Sequence, residues 1–348
     1  MRPCGVFDET YEKDIAIVRT WQHWVLLIVS IVFMLLLPFI TSYYLISLIN
    51  NILIAVIVVL GLQIVTGYCG LISFGQPAFM AIGAFFSAVV TLKIGFSFWL
   101  ALPLSGLAAG VAGLIGGAPS LRIKGFYLAM ATIAIFWVAM WLITHLEITG
   151  GTQGLMPQPP TIGGFAFDSD ERMYYLILFA TIFLTYFARN LMRTRVGRVF
   201  VAIRDNDLAA EVMGINLYYY KLLAFFISCF YAGVGGSLFG HLYGVVNSEQ
   251  FTIMHALQYI GMIIIGGMGS IPGVFFGVIF LKVLDELVLF GAPTLVEAFP
   301  QIGSSPATAL SFSSFGLILI LFLIYEPRGL AHRWEVFKAS YRVYPYKN

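Results

Sequence analysis

Charge is what this sequence has least of. Only 10% of its 348 residues are Asp, Glu, Lys or Arg, while 60% are hydrophobic and the mean hydropathy is +0.91. Soluble domains carry roughly 25% charged residues, so a water-soluble globule is excluded. Cysteine is scarce as well. Cys4, Cys69 and Cys229 are odd in number and far apart, which supports neither a disulfide framework nor a zinc site and leaves them as small apolar packing residues. No G-x-x-x-x-G-K-[ST] occurs, so the chain has no loop to cradle nucleotide phosphates. His23, His145, His241, His255 and His332 are scattered, with neither H-E-x-x-H nor G-x-S-x-G, and no catalytic group, metal site or cofactor is expected. A net charge of +2 is too small to imply nucleic acid as a partner. The first 23 residues lack the apolar core of a signal peptide, so insertion is expected to begin with the first spanning helix.

What the chain does contain is apolar sequence in helix-sized runs. Ten segments stand out, at about 24–40, 45–66, 76–93, 98–118, 126–146, 174–188, 222–243, 254–268, 271–290 and 311–326. A helix needs about 20 residues to cross the hydrocarbon core, and these runs are apolar on every side, unlike the alternating strands of a β-barrel. Several are short or broken by glycine. The expected fold is therefore an all-α polytopic membrane protein, a bundle of about eight to ten transmembrane helices. With an even count, sixteen of the nineteen Lys and Arg residues fall on the side of both termini. Lys93 and Arg172 lie opposite and Lys282 lies within a segment. Cytoplasmic loops are enriched in such residues, so both termini are expected inside the cell. The organisation read this way is a cytoplasmic segment 1–23, a transmembrane body 24–326 with a cytoplasmic loop 189–221, and a basic cytoplasmic tail 327–348. Outside, a Gly- and Pro-rich loop 147–173 is either a plain connection or a contact for a ligand or external partner.

Two stretches interrupt the helical pattern, "TGYCGLISFGQP" (66–77) and "GGMGSIPG" (266–273). Each joins glycines, a serine and a proline, then resumes as helix. Such pairs of broken segments point to a transport path, although tight turns at the cytoplasmic surface would read the same way. Polar residues near them in the spans, Asn50, Asn51, Ser73, Gln76, Thr132 and Ser228, are candidates for lining a path or for bonding helices together. Gln63 belongs to the same group. The ladders Gly106/Gly110/Gly113/Gly117 and Gly269/Gly273/Gly277 suit close helix packing. Lys282, Asp285 and Glu286 sit at i, i+3 and i+4, where they can neutralise one another near the outer interface or form an ion relay.

One cytoplasmic stretch is unusually polar: "RDNDLAAEVMGIN" (204–216). Asp205, Asn206 or Asp207 can cap a helix start, "LAAEVM" is a good helix former, and Gly214 can close the helix in the left-handed conformation. The result is a rod of two turns with Leu208, Val212 and Ile215 as one apolar stripe. Two turns are unstable alone in water, so the rod must pack on something. That support is a partner protein, its own bundle or the lipid headgroups.

"GRVFVAIRDNDLAAEVMGINLYYYKLLAFFISCFYAGVGGSLFG" (197–240) resembles the signature region of M-type permease subunits of branched-chain amino acid ABC importers. "GLQIVTGYCGLISFGQPAFMAIGAF" (61–85) and "YEPRGL" (325–330) resemble other signatures of that family. The resemblance extends over about 45–330. It implies a coupling role towards an ATPase for Arg204, Asp205, Asn206, Asp207, Ala209, Ala210, Glu211 and Gly214. It also implies four partners besides membrane lipid: two ATP-binding cassette subunits, a second permease in a heterodimer, and an external or periplasmic binding protein. The implied location is the bacterial inner membrane and the implied cargo a branched-chain or related hydrophobic amino acid. A permease for urea or short amides is the alternative within that architecture. An ion-coupled secondary transporter working alone is the alternative outside it.

Overall fold

The computed structural model describes residues 21–121, 125–162, 165–298 and 306–343. The cations expected at Arg2, Lys13, Arg19, Arg122, Lys124 and Lys347 lie outside them, as does Cys4. All ten apolar segments are helical: α1 (Trp21–Ile40), α2 (Tyr43–Leu62), α3 (Gln76–Val89), α4 (Phe98–Ser120), α5 (Phe126–His145) and α6 (Asp170–Arg193), then, beyond two helices of the polar loop, α9 (Leu217–Tyr243), α10 (Ile253–Gly266), α11 (Ile271–Ala298) and α12 (Pro306–Tyr325). The two loop helices are α7 (Arg195–Asp205) and α8 (Asp207–Val212), and α13 (Gly329–Val343) closes the described chain.

Among the described residues six helices are long and apolar enough to cross a membrane, with a seventh if the pair at Ser313–Tyr325 and Gly329–Ser340, bent by 42°, counts as one span. α10 has 14 residues, or about 21 Å at 1.5 Å per residue, and stops short of a core roughly 30 Å thick. α2 and α3 are lengthened by π-helical turns, Gln63–Tyr68 and Val90–Ile94. The Gly- and Pro-rich loop 147–173 is not wholly irregular. It holds a two-residue antiparallel pairing of β1 (Thr161–Ile162) with β2 (Phe165–Ala166), and Leu155 bridges to Val246.

α9 is the hub, packed on α2, α3 and α4. Its glycines are the reason. A methyl group on Gly83 would lie 2.3 Å from the Gly233 carbonyl, and one on Gly236 would lie 1.9 Å from that of Met80, so α3 and α9 meet backbone to backbone. The expected ladder on α4 faces α9 as well: Gly106 meets Phe230, Gly110 meets Phe226, Gly113 meets Cys229 and Gly117 meets Phe225. On α11, Gly273 and Gly277 press against the backbone of α10 at Gly266 and Met262. Gly269 differs from that pattern; it lies in the loop, at φ +78°, beside an arginine.

Candidate functional site

The first broken segment does not turn at the end of the bundle. Gln76, at the start of α3, donates from Nε2 to Val58 O at 3.0 Å and to Ser228 O at 3.3 Å. Val58 lies fifteen residues into α2, about 22 Å from its start. The chain therefore leaves the π-helical turn at Tyr68, folds back along α2, and begins α3 at half depth. Pro77 in the first turn suits this start, because its missing N–H would have had no helical acceptor there.

Side chains satisfy the freed backbone, as burial in a membrane protein demands. Thr132 Oγ1 accepts from Phe74 N–H at 3.0 Å, Ser228 Oγ donates to Gln76 Oε1 at 3.1 Å, and Thr66 Oγ1 donates to Leu71 O at 2.9 Å. Three of the candidate path residues, Gln76, Thr132 and Ser228, are thus brought together as fastenings of this segment, and Ser73 Oγ accepts from Gly75 N–H at 3.4 Å within it. Asn51 instead faces a cavity discussed below and accepts the Tyr243 hydroxyl at 2.8 Å. Asn50 sits apart, donating to Asp170 O at the start of α6.

The two broken segments meet. Gln63 Nε2 donates to Gly267 O and to Ser270 O, each at 3.1 Å, and a Cβ on Gly67 would lie 2.8 Å from Gly269 N. Arg204 reaches into the same junction. Its Nη1 donates to Gly67 O at 3.0 Å and would lie 2.8 Å from a Cβ on Gly269, while its aliphatic stem passes over Gly70. Asp205 steadies the guanidinium, accepting from Nε at 3.1 Å and Nη2 at 3.0 Å. Arg204 is the last basic residue of α7, so one side chain ties the pair α7 and α8 to Gly67 in the first break and brings it beside Gly269 in the second.

Beyond Arg204 the chain turns sharply. Asn206 adopts extended backbone and its side chain accepts from Ala209 N–H at 3.0 Å, which makes it the cap among the three expected candidates. Gly214 ends the element at φ +84°. Ala210 is buried against the bundle, and Asp207 forms a 3.6 Å ion pair with Lys221 on α9. The other face is open: Leu208 is 63% exposed, Val212 88% and Met213 82%. Ala209 and Glu211 are exposed too, and Ile215 is half-buried. Beside this corner, Cys69 is buried, and burial pushes its thiol up to about 12, with Lys221 pulling weakly the other way.

Sequence reasoning did not foresee α7, whose amphipathic run Arg195–Asp205 buries Gly197, Phe200 and Ile203. It also missed Tyr259. Lys282 lines the same cavity as Asn51, and Asp285, three residues on along α11, interacts with it electrostatically, as the spacing led one to expect. Among the described residues no group of three His, Cys, Asp or Glu side chains could hold a metal ion.

Known proteins resemble this sequence. The family described as "Branched-chain amino acid transport system / permease component" matches residues 44–324. The chain is 31% identical over 318 residues to the high-affinity branched-chain amino acid transport system permease protein LivM of Escherichia coli K12, covering 84% of this chain and 71% of that protein. It is 24% identical over 316 residues to the permease protein BraD of Pseudomonas aeruginosa, covering 85% and 98%. It is 24% identical over 310 residues to the permease protein LivH of the same E. coli strain, covering 81% and 92%. No solved structure gives a significant match.

Proposed function

The chain belongs to the branched-chain amino acid transport permease family, and from that membership we propose that it is the membrane subunit of an ATP-driven importer of branched-chain or related hydrophobic amino acids. It lies in a bacterial cytoplasmic membrane with both termini inside. It works with a second, similar permease, two ATP-binding cassette subunits and an external binding protein. The coupling residues are Arg204, Asp205, Asn206, Asp207, Ala209, Ala210, Glu211 and Gly214. Similarity to both LivM and LivH supports a heterodimer, since a chain resembling each has a natural counterpart in the other.

One observation carries the coupling role: α8 presents Leu208, Val212 and Met213 to solvent at one end of the bundle, while Arg204, immediately before it, grips both helix breaks. A two-turn helix has no stability to spare for an unpartnered apolar face. A partner covering that stripe can push α8, and the push reaches Gly67 and Gly269 through Arg204.

The test is a Leu208→Asp/Val212→Asp double variant, produced with the other subunits. Both side chains are exposed, so folding and insertion should survive. ATPase subunits should be lost from the purified complex, and leucine uptake in proteoliposomes should fall with them. Full uptake by that variant would refute the docking assignment. Leucine accumulation by this chain alone, driven by a proton or sodium gradient, would replace the importer with a secondary transporter.

A further inference from the structure

Between α2, α3, α9, α10 and α11 lies a cavity of about 60 Å³. At roughly 10–15 Å³ per water it holds on the order of four to six waters. Lys282 lines it, about 16 Å along α11 from Ile271. A cation within a span is costly unless counter-groups meet it, and Asp285, three residues on along the same helix, offsets part of that cost from outside the cavity lining.

The remaining polar lining offers donors. Tyr259 is 7% exposed, and its hydroxyl reaches only the thioether of Met80, a weak acceptor, at 3.5 Å. Thr252 N–H donates to His255 Nδ1, which leaves the neutral imidazole's proton on Nε2. The strong acceptors are already engaged: Asn51 Oδ1 by Tyr243, and Gln250 Oε1 by Asn247 N–H at 3.1 Å. Pro77, in the first turn of α3, also lines the cavity and brings the positive end of a helix to half depth. Ile54, Ala55, Phe239 and Phe251 make an apolar wall beside these groups.

A cation with uncommitted donors next to an apolar wall complements an amino acid whose side chain is aliphatic. We propose that this cavity receives the carboxylate of the transported amino acid, with Lys282 as its countercharge and the Tyr259 hydroxyl as a donor. The inference rests on the importer reading above. The cavity takes a carboxylate but not a whole branched amino acid, so passage requires neighbours to move. Met80, unbranched and adaptable, is the side chain best suited to do so.

The test uses the assembled transporter in proteoliposomes with L-leucine as probe and reads leucine delivered per ATP hydrolysed. Lys282→Gln should lower this ratio about tenfold, the effect of removing one charged-group hydrogen bond. Lys282→Arg should recover about a third of it or more, which a purely packing role would not allow, since Arg is the bulkier side chain. A wild-type ratio in Lys282→Gln overturns the proposal. Should that variant fail to assemble, Tyr259→Phe decides: it deletes one hydroxyl, a loss of about threefold supports the site, and no change overturns it. A wild-type complex that moves no leucine at all would sink the importer reading itself, a result distinct from any difference between variants.

Discussion

Replacing Arg204 with Ala should separate ATP hydrolysis from transport. The side chain makes one charge-assisted hydrogen bond to Gly67 O at 3.0 Å, where the last turn of α2 presents unsatisfied carbonyls and a negative dipole end. Hydrogen bonds to charged groups contribute about 1.5–3 kcal/mol, but the Arg204 side chain is 36% exposed, so the lower end applies, about 1.5 kcal/mol. If that bond transmits movement of α8 to the breaks, its loss weakens the transmission by roughly tenfold, since 1.4 kcal/mol is a factor of ten. Arg204→Lys should cost less, about threefold. A lysine still reaches one carbonyl but cannot hold Asp205 with two nitrogens while doing so. The assay is binding-protein-stimulated ATP hydrolysis measured beside leucine uptake in the same vesicles. Uptake per ATP should fall in the order wild type, Lys, Ala, with subunits still co-purifying. An Ala variant with the wild-type ratio would refute the claim that force passes through this residue.

Two further outcomes follow from packing and burial. Gly236→Ala sets a methyl 1.9 Å from the Met80 carbonyl, whereas a methyl at Gly316 meets nothing within 4 Å. Overpacking costs typically 1–3 kcal/mol and can exceed this against backbone, so Gly236→Ala should melt well below wild type in detergent while Gly316→Ala matches it. The Cys69 thiol, held at about 12, should resist alkylation at pH 8, where about one molecule in ten thousand carries the thiolate. Its rate should keep rising with pH through the range where an ordinary exposed thiol has levelled off. Fast labelling of Cys69 at pH 8 would show that the segment 69–75 opens.

Much of the molecule was legible as one-dimensional pattern. All ten apolar runs are helices, because a run apolar on every side can satisfy its backbone only internally within lipid. The short helix at 207–212 was legible because capping is local: Asn206 and Gly214 act within a few residues of where they stand. The glycine ladder of α4 was readable as a packing face, although its partner was not. What faced it, α9, lies more than a hundred residues away, and nothing in the spacing names it.

By itself, then, the order of residues determined lipid solubility, helix positions, the Leu208 and Val212 part of the apolar stripe on α8 and the scarcity of chemistry, while Ile215, expected in that stripe, turned out half-buried. Tertiary structure alone decided that residues 69–75 fold back to half depth, that 66–77 and 266–273 touch, and that Arg204 spans them. It alone brought Lys282 into one cavity with Asn51 and Tyr259. The physical reason is range. Hydropathy and capping act over one or two turns of chain, whereas a buried polar group takes whichever partner the packing of distant helices brings within about 3 Å.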